Sequence, residues 1–129
     1  MTQARLQADP GRADRREAVL TQATVRAAAL LGVGASELGA VIGVSAPTVS
    51  RMKAGTYLLP DGSKPFELAQ LFLRLFRSLD SIVGGDEAAA RSWLATENTA
   101  LRGRPIDLIK KVTGLTATVG YLDSRRAIL

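Results

Sequence analysis

Residues 30–55, LLGVGASELGAVIGVSAPTVSRMKAG, contain two short apolar periodic segments separated by a glycine turn. The segments, residues 35–42 and 46–53, each have the length and spacing of a two-turn helix. Gly39 leaves room for the second helix to approach closely, and Gly43 suits the turn between them. The stretch therefore predicts a helix-turn-helix, whose second helix enters the major groove of DNA.

The residue types in this unit predict which side chains face the core and which face outward. Ser45 can accept a hydrogen bond from free amides at the start of the second helix, where Pro47 loses no bond. The predicted core residues are Leu38, Val41, Ile42, Val44, Val49 and Met52. The predicted DNA-binding residues are Ser45, Ala46, Pro47, Thr48, Ser50, Arg51 and Lys53, with Arg26 from the preceding helix.

Different roles are expected within this set. A guanidinium can contact O6 and N7 of one guanine together, so Arg51 is predicted to contact a base. Lys53 and Arg26 are predicted to contact phosphates, and Ala46 or Pro47 a thymine methyl group. The alternative is that the two helices belong to a plain helical bundle, in which Arg51 is a solvated surface residue.

Composition narrows the possible functions. The 129 residues carry a formal net charge of +5, which suits a phosphate-bearing partner. The absence of Cys and His excludes thiolate and imidazole chemistry and the familiar zinc sites. The carboxylates that could serve an enzyme are better explained as helix caps or surface residues: Asp80, Asp86, Glu87 and Asp107. We expect a soluble cytoplasmic protein that is not an enzyme and needs no metal or cofactor.

The whole chain is predicted to be all-α in three parts. Residues 1–16 are polar and contain Asp9-Pro10-Gly11, which indicates a flexible arm or a loosely docked turn. Residues 17–62 hold the helix-turn-helix, and residues 63–129 form a second helical domain. Its first helix is predicted to run from about Ser63 to Val83, with Pro65 in its first turn.

Two features of the second domain lead to further expectations. On a helical wheel of the long helix, Phe66 and Leu73 fall outside the broad apolar face, so they are predicted to contact the partner chain of a homodimer. Further along, a short helix is predicted from Pro105 to about Val112. Gly114 is expected to end it, and Thr116 to cap the last helix.

Both halves resemble known antitoxins. Leu38-Gly39, Gly43-Val44-Ser45, Thr48-Val49-Ser50-Arg51 and Gly55 resemble the Xre-type repressor module, although Ala35, Ala46 and Pro47 stand where that family often has polar residues. A second series resembles the C-terminal domain of Xre/ParS-type antitoxins. That series comprises Phe76, Leu79, Gly84-Gly85-Asp86, Trp93-Leu94, Asn98, Leu101, Gly103, Pro105, Gly114-Leu115 and Tyr121-Leu122.

The resemblance implies an antitoxin that represses its own operon and neutralises a RES-domain toxin that degrades NAD. It implies that the last helix and tail obstruct the toxin's NAD pocket. The implied toxin-binding residues are Tyr121, Asp123, Ser124, Arg125, Arg126 and Leu129. Two alternatives remain: the tail is a solvated basic segment, or the chain is a dimeric helix-turn-helix regulator without a toxin partner.

Overall fold

The computed structural model describes residues 10–128 of the chain, and within that range all regular structure is helical apart from one isolated bridge. The helices are α1, Pro10–Leu30; α2, Ala35–Ile42; α3, Ala46–Ala54; α4, Lys64–Ile82; α5, Glu87–Ala95; α6, Pro105–Leu108; and α7, Val112–Ala127. The all-α prediction is confirmed. Among these residues no helix is long and apolar enough to cross a membrane.

Helix α4 is the centre of the molecule. It packs against α1 and α2 on the side of the helix-turn-helix and against α5 and α7 on the other side. Its start is set by Ser63, whose hydroxyl accepts a hydrogen bond from the amide of Phe66 at 3.3 Å. Its fully buried side chains, Phe72, Leu75 and Leu79 among them, join the two halves in one continuous core.

The first helix begins earlier than the sequence predicts. Residues 10–16, predicted as part of a flexible arm, form the start of α1, so the prediction was wrong for them. Arg16 explains part of the difference, because its guanidinium lies over the Phe66 ring at 5.2 Å and 3.9 Å from the carboxylate of Asp61. Residues 1–9 of the predicted arm lie outside the described residues.

The end of the chain also differs from the expectation. Helix α6 ends at Leu108, and α7 already begins at Val112 instead of after Thr116. Gly114 lies inside α7, where a Cβ atom would collide with the carbonyl oxygen of Leu108. This glycine therefore serves close packing between α6 and α7 and does not end a helix.

Burial corrects the prediction that Phe66 and Leu73 are exposed dimer contacts. Phe66 is 2% exposed and Leu73 5% exposed within a single chain. The reason is that α1 packs along this side of α4, a contact that the helical wheel of α4 alone does not contain. Within a single chain little of either side chain is left for a second copy to contact, although both border the open groove between α1 and α4.

Candidate nucleic-acid interface and C-terminal site

The helix-turn-helix has the packing that the sequence predicts. A Cβ atom on Gly39 would collide with the carbonyl oxygen of Val44, so only glycine lets the turn lie against α2. Gly43 ends α2 with φ +81°, in the left-handed region that favours glycine. The predicted core side chains are buried apart from the half-buried Val44: Leu38, Val41, Ile42, Val49 and Met52.

A series of polar contacts organises the start of α3. It links the side chains of Ser45, Thr48 and Arg51, and we call these three residues the hydroxyl ladder. The Ser45 hydroxyl accepts a hydrogen bond from the Thr48 amide at 3.2 Å and lies 2.9 Å from the Thr48 hydroxyl. The Arg51 guanidinium donates to the Thr48 hydroxyl at 2.9 Å. Only one of the five Arg51 N–H groups is used in this bond, so the others can face a base edge.

The other predicted DNA-binding residues of α3 lie on its outer surface. Pro47, Ser50 and Lys53 are exposed, whereas Ala46 is half-buried. Lys53 follows Arg51 by two residues and therefore points about 200° away around the helix. The two cations cannot contact the same base pair, which suits separate roles in base and phosphate contact.

Arg26 belongs to α1 and lines a groove to which α3 does not contribute. It is exposed and borders a groove between α1 and α4, together with Phe76 and Arg77. The residues that share this groove belong to α1 and α4 and not to α3. Its predicted phosphate contact remains a prediction.

The C-terminal residues form a polar network between α4 and α7. Ser78 is fully buried, and its hydroxyl donates to an Asp123 carboxylate oxygen at 2.7 Å. Arg74 pairs with the other carboxylate oxygen at 2.5 Å. Arg126 donates to the Ser78 hydroxyl at 3.4 Å. The network joins α7 to α4 through side chains 45 to 49 residues apart in sequence.

The network also perturbs the titration of Asp123. The hydrogen bond from Ser78 is the main reason that the pKa of Asp123 is lowered. Burial raises this pKa and is the second-largest effect, while the hydrogen bond and charge of Arg74 and the charge of Arg126 lower it further. An open cleft of about 580 Å³ lies over the network, lined by Arg74, Arg77, Asp123, Arg126 and Ala127. Its three arginines outnumber its one carboxylate, so the cleft favours anions.

Two stacked aromatic rings lie next to the exposed side chain of Arg125. The rings of Trp93 and Tyr121 are stacked, with centroids 6.4 Å apart and planes inclined by 17°. The Arg125 guanidinium lies 5.8 Å from the centroid of the Tyr121 ring and is itself exposed. Sequence reasoning missed this stack, because Trp93 and Tyr121 lie 28 positions apart, on helices whose contact no local pattern indicates.

The predicted toxin-binding residues therefore differ in how far they are exposed and in whether they take part in the network. Tyr121 is half-buried, whereas Ser124 and Arg125 are exposed. Asp123 and Arg126 take part in the internal network, and Arg126 also borders the cleft. Leu129 lies outside the described residues.

The turn after α5 is held together by Asn98. Its side-chain oxygen accepts a hydrogen bond from the Leu101 amide at 3.0 Å, and its backbone forms the isolated bridge with Gly103. Arg102, between them, has φ +64°.

Fold and site together define a helix-turn-helix DNA-binding protein that carries a second helical domain. Comparison with protein families identifies both parts. Residues 11–74 match the antitoxin Xre-like helix-turn-helix domain, and residues 78–127 match the antitoxin Xre/MbcA/ParS C-terminal toxin-binding domain. The chain is therefore an antitoxin of the Xre type, with a DNA-binding half and a toxin-binding half. No curated protein matches the chain.

The two matches meet within α4, between residues 74 and 78. The sequence-based division at residues 62 and 63 assigned the whole of this helix to the second domain. Helix α4 instead supplies packing surface to both halves.

Proposed function

We propose that this antitoxin neutralises a RES-domain toxin that degrades NAD, by blocking the toxin's active site, and represses its own operon as a homodimer. The observation that carries the proposal is the presence of both antitoxin domains on one chain, joined by the uninterrupted helix α4. The choice of a RES-domain toxin rests on the resemblance of the two halves to antitoxins of that kind.

The C-terminal end of α7 is the proposed blocking element. Arg125 is exposed and is held against the Tyr121 ring, which limits the side-chain freedom that the residue would lose on binding. A guanidinium matches the geometry of phosphate oxygens and carboxylates. It can therefore enter a pocket that receives the phosphates of a dinucleotide, or pair with acidic groups beside that pocket.

The operon-repressing role is supported by the reading helix α3. Arg51 is exposed and hydrogen-bonded through the hydroxyl ladder, in the place from which a second helix contacts base edges. A homodimer would present two such helices to a palindromic operator, which increases both affinity and selectivity.

The blocking role can be tested by removing the exposed end of α7 without disturbing its packed part. Deletion of residues 121–129 would remove Leu122, which is 1% exposed, and the bond between Ser78 and Asp123. Deletion of residues 124–129 keeps both and removes from the network only the 3.4 Å contact between Arg126 and Ser78. Arg125→Glu is the matching point variant, and Arg102→Glu, an exposed charge reversal in a loop, is its control.

The measurement is the NAD level in cells that express the toxin together with each antitoxin variant. The shortened protein and Arg125→Glu should fail to preserve NAD, whereas the wild type and Arg102→Glu should preserve it. Operator binding should be unchanged in all of them, because α3 lies in the other half. If the shortened protein stays folded, binds the toxin and preserves NAD, the end of α7 is not the blocking element. If the wild type binds the operator but no toxin, the chain acts as a regulator only.

A further inference from the structure

A long groove between α1 and α4 has no role in the functions proposed above. It consists of two adjoining hollows of about 530 and 320 Å³ that share Val19, Ala23, Leu73 and Arg77. We call it the basic groove and define it by Arg12, Arg16, Val19, Arg26, Leu73 and Arg77. Val19 stands in its middle and is 68% exposed, which is unusual for a large aliphatic side chain.

The rim of the groove carries a single sign of charge. Its charged lining residues are all arginines within the part of the chain that the structure describes. The two carboxylates of α1, Asp14 and Glu17, lie about 200° and 140° around the helix from Arg12. Glu17 instead accepts a hydrogen bond from the Asp61 amide at 2.7 Å. Among the rim arginines, Arg16 also pairs with the carboxylate of Asp61 at 3.9 Å, and this carboxylate is not part of the lining.

The dimensions and chemistry of the groove fit a helix. Arg12 and Arg26 are separated by 14 residues of α1, which corresponds to about 21 Å or four helical turns. An apolar floor with a polar rim is the arrangement in which one amphipathic helix lies in the groove of another protein. Here the floor requires apolar side chains on the inner face of that helix, and the arginines require carboxylates along its edges.

We infer that the basic groove binds an acidic amphipathic helix of the toxin, an inference that rests on the function proposed above. Arg77 supports this occupant, because it lines both the groove and the cleft beside α7 in the toxin-binding domain. The groove thus continues the surface of that domain. A second copy fits less well, since two identical basic rims would repel each other across a two-fold axis. DNA fits less well because phosphates gain nothing from the apolar floor.

The test compares variants of the full chain for binding to the purified RES-domain toxin of the same operon. Arg12→Glu/Arg26→Glu reverses two rim charges, and Lys53→Glu/Lys64→Glu reverses two exposed charges outside both the groove and the toxin-binding domain as the matched control. Val19→Glu tests the floor at a site exposed enough to tolerate the change. Circular dichroism and thermal unfolding verify that each variant is folded.

The two groove variants should each weaken toxin binding about tenfold or more, and the control should not. The effect of the rim variant should decrease as salt concentration rises. A photocrosslinking residue at position 19 should label an acidic helical segment of the toxin.

Four results would overturn the inference. Toxin binding that is unchanged in both groove variants removes the groove from the interface, while the proposed function stands because the wild type still binds. A loss confined to operator binding assigns the arginines to DNA phosphates. A change in oligomeric mass without a change in toxin affinity makes the groove a contact between copies. If the wild type itself binds no toxin, the proposed function fails, and this inference fails with it.

Discussion

At the scale of single residues, the hydroxyl ladder gives Arg51 a more definite role than the sequence pattern does. The Thr48 hydroxyl accepts from the Arg51 guanidinium and contacts Ser45, so the long side chain is fixed before DNA arrives. Fixing it in advance lowers the entropy that binding must remove. Lys53 makes no such contact in the structure described for residues 10–128, which agrees with a role as a point charge towards phosphate.

The first prediction distinguishes these roles. Arg51→Ala should cost about 1 to 3 kcal/mol of operator binding and relax the preference at one base pair. Lys53→Ala should weaken binding to all sequences alike and lower the slope of log K against log salt by about 1. Binding to operators with single base changes, measured over a range of salt, checks both. Equal operator affinity of Arg51→Ala and the wild type would contradict the assignment of Arg51.

A second prediction concerns the ladder itself. Thr48→Val keeps the shape of the side chain but removes the hydroxyl that holds Arg51. We expect operator binding to weaken by about 1 kcal/mol, with the base preference retained. The control is the double variant Thr48→Val/Arg51→Ala: if Thr48 acts through Arg51, loss of the hydroxyl costs nothing further once Arg51 is alanine. An equal cost of Thr48→Val with and without Arg51 would mean that Thr48 does not act through Arg51.

At the scale of elements, local patterns predicted helices well where caps and glycines act within a few residues. The helix-turn-helix was predicted because Gly39, Gly43 and Ser45 act on their sequence neighbours. The same reasoning was wrong for Gly114, whose reason for being glycine is the carbonyl of Leu108. A glycine that permits close packing and one that ends a helix cannot be told apart by sequence alone.

The third prediction compares two glycines within α7. Gly114→Ala should destabilise the protein by about 1 to 3 kcal/mol, because the added methyl group meets backbone that has no space to yield. Gly120→Ala should stabilise it by about 0.5 to 1 kcal/mol, because open space surrounds Gly120 and alanine favours the helix. Denaturant unfolding measures both. A Gly114→Ala variant that is as stable as the wild type, or more stable, would contradict the close packing of α6 on α7.

The fourth prediction concerns the network that joins α4 to α7. The hydrogen bond from Ser78 is the main cause of the lowered pKa of Asp123. Ionised Asp123 therefore stabilises the fold fully at pH values above its ordinary pKa of 3.8, and this stabilisation is lost as the pH falls through the lowered pKa of the folded protein. Asp123→Asn should therefore cost roughly 1 kcal/mol at pH 7, and the difference from wild type should shrink in acid.

Unfolding of Asp123→Asn in denaturant between pH 7 and pH 2 provides the measurement. Glu97→Gln, which changes an exposed carboxylate in the turn after α5, is the control and should unfold as the wild type does. A deficit in Asp123→Asn that is the same at every pH would show that the lost stability does not come from the ionised carboxylate.

At the scale of the whole molecule, the contacts that sequence reasoning could not supply are those between distant elements. Phe66 and Leu73 look unpartnered on α4 until α1 covers them. Residues 10–16 look like a linker because arginine and aspartate carry no apolar stripe, although Arg16 packs on Phe66. Both differences arise from one tertiary contact, α1 on α4, whose residues are separated by about 50 positions in sequence.

The last prediction concerns assembly. We expect a homodimer, since a single helix-turn-helix buries little DNA surface and a two-fold protein matches a palindromic site. The burial of Phe66 and Leu73 leaves little of either side chain for a contact between copies. Sedimentation equilibrium at micromolar concentration should give twice the mass of the chain, and titration of a palindromic operator should saturate at two chains per site. If the protein is a monomer in solution but two chains bind each operator, the dimer forms only on the DNA. One chain per operator would exclude the dimer altogether, and α3 would then have to supply the selectivity of a single half-site.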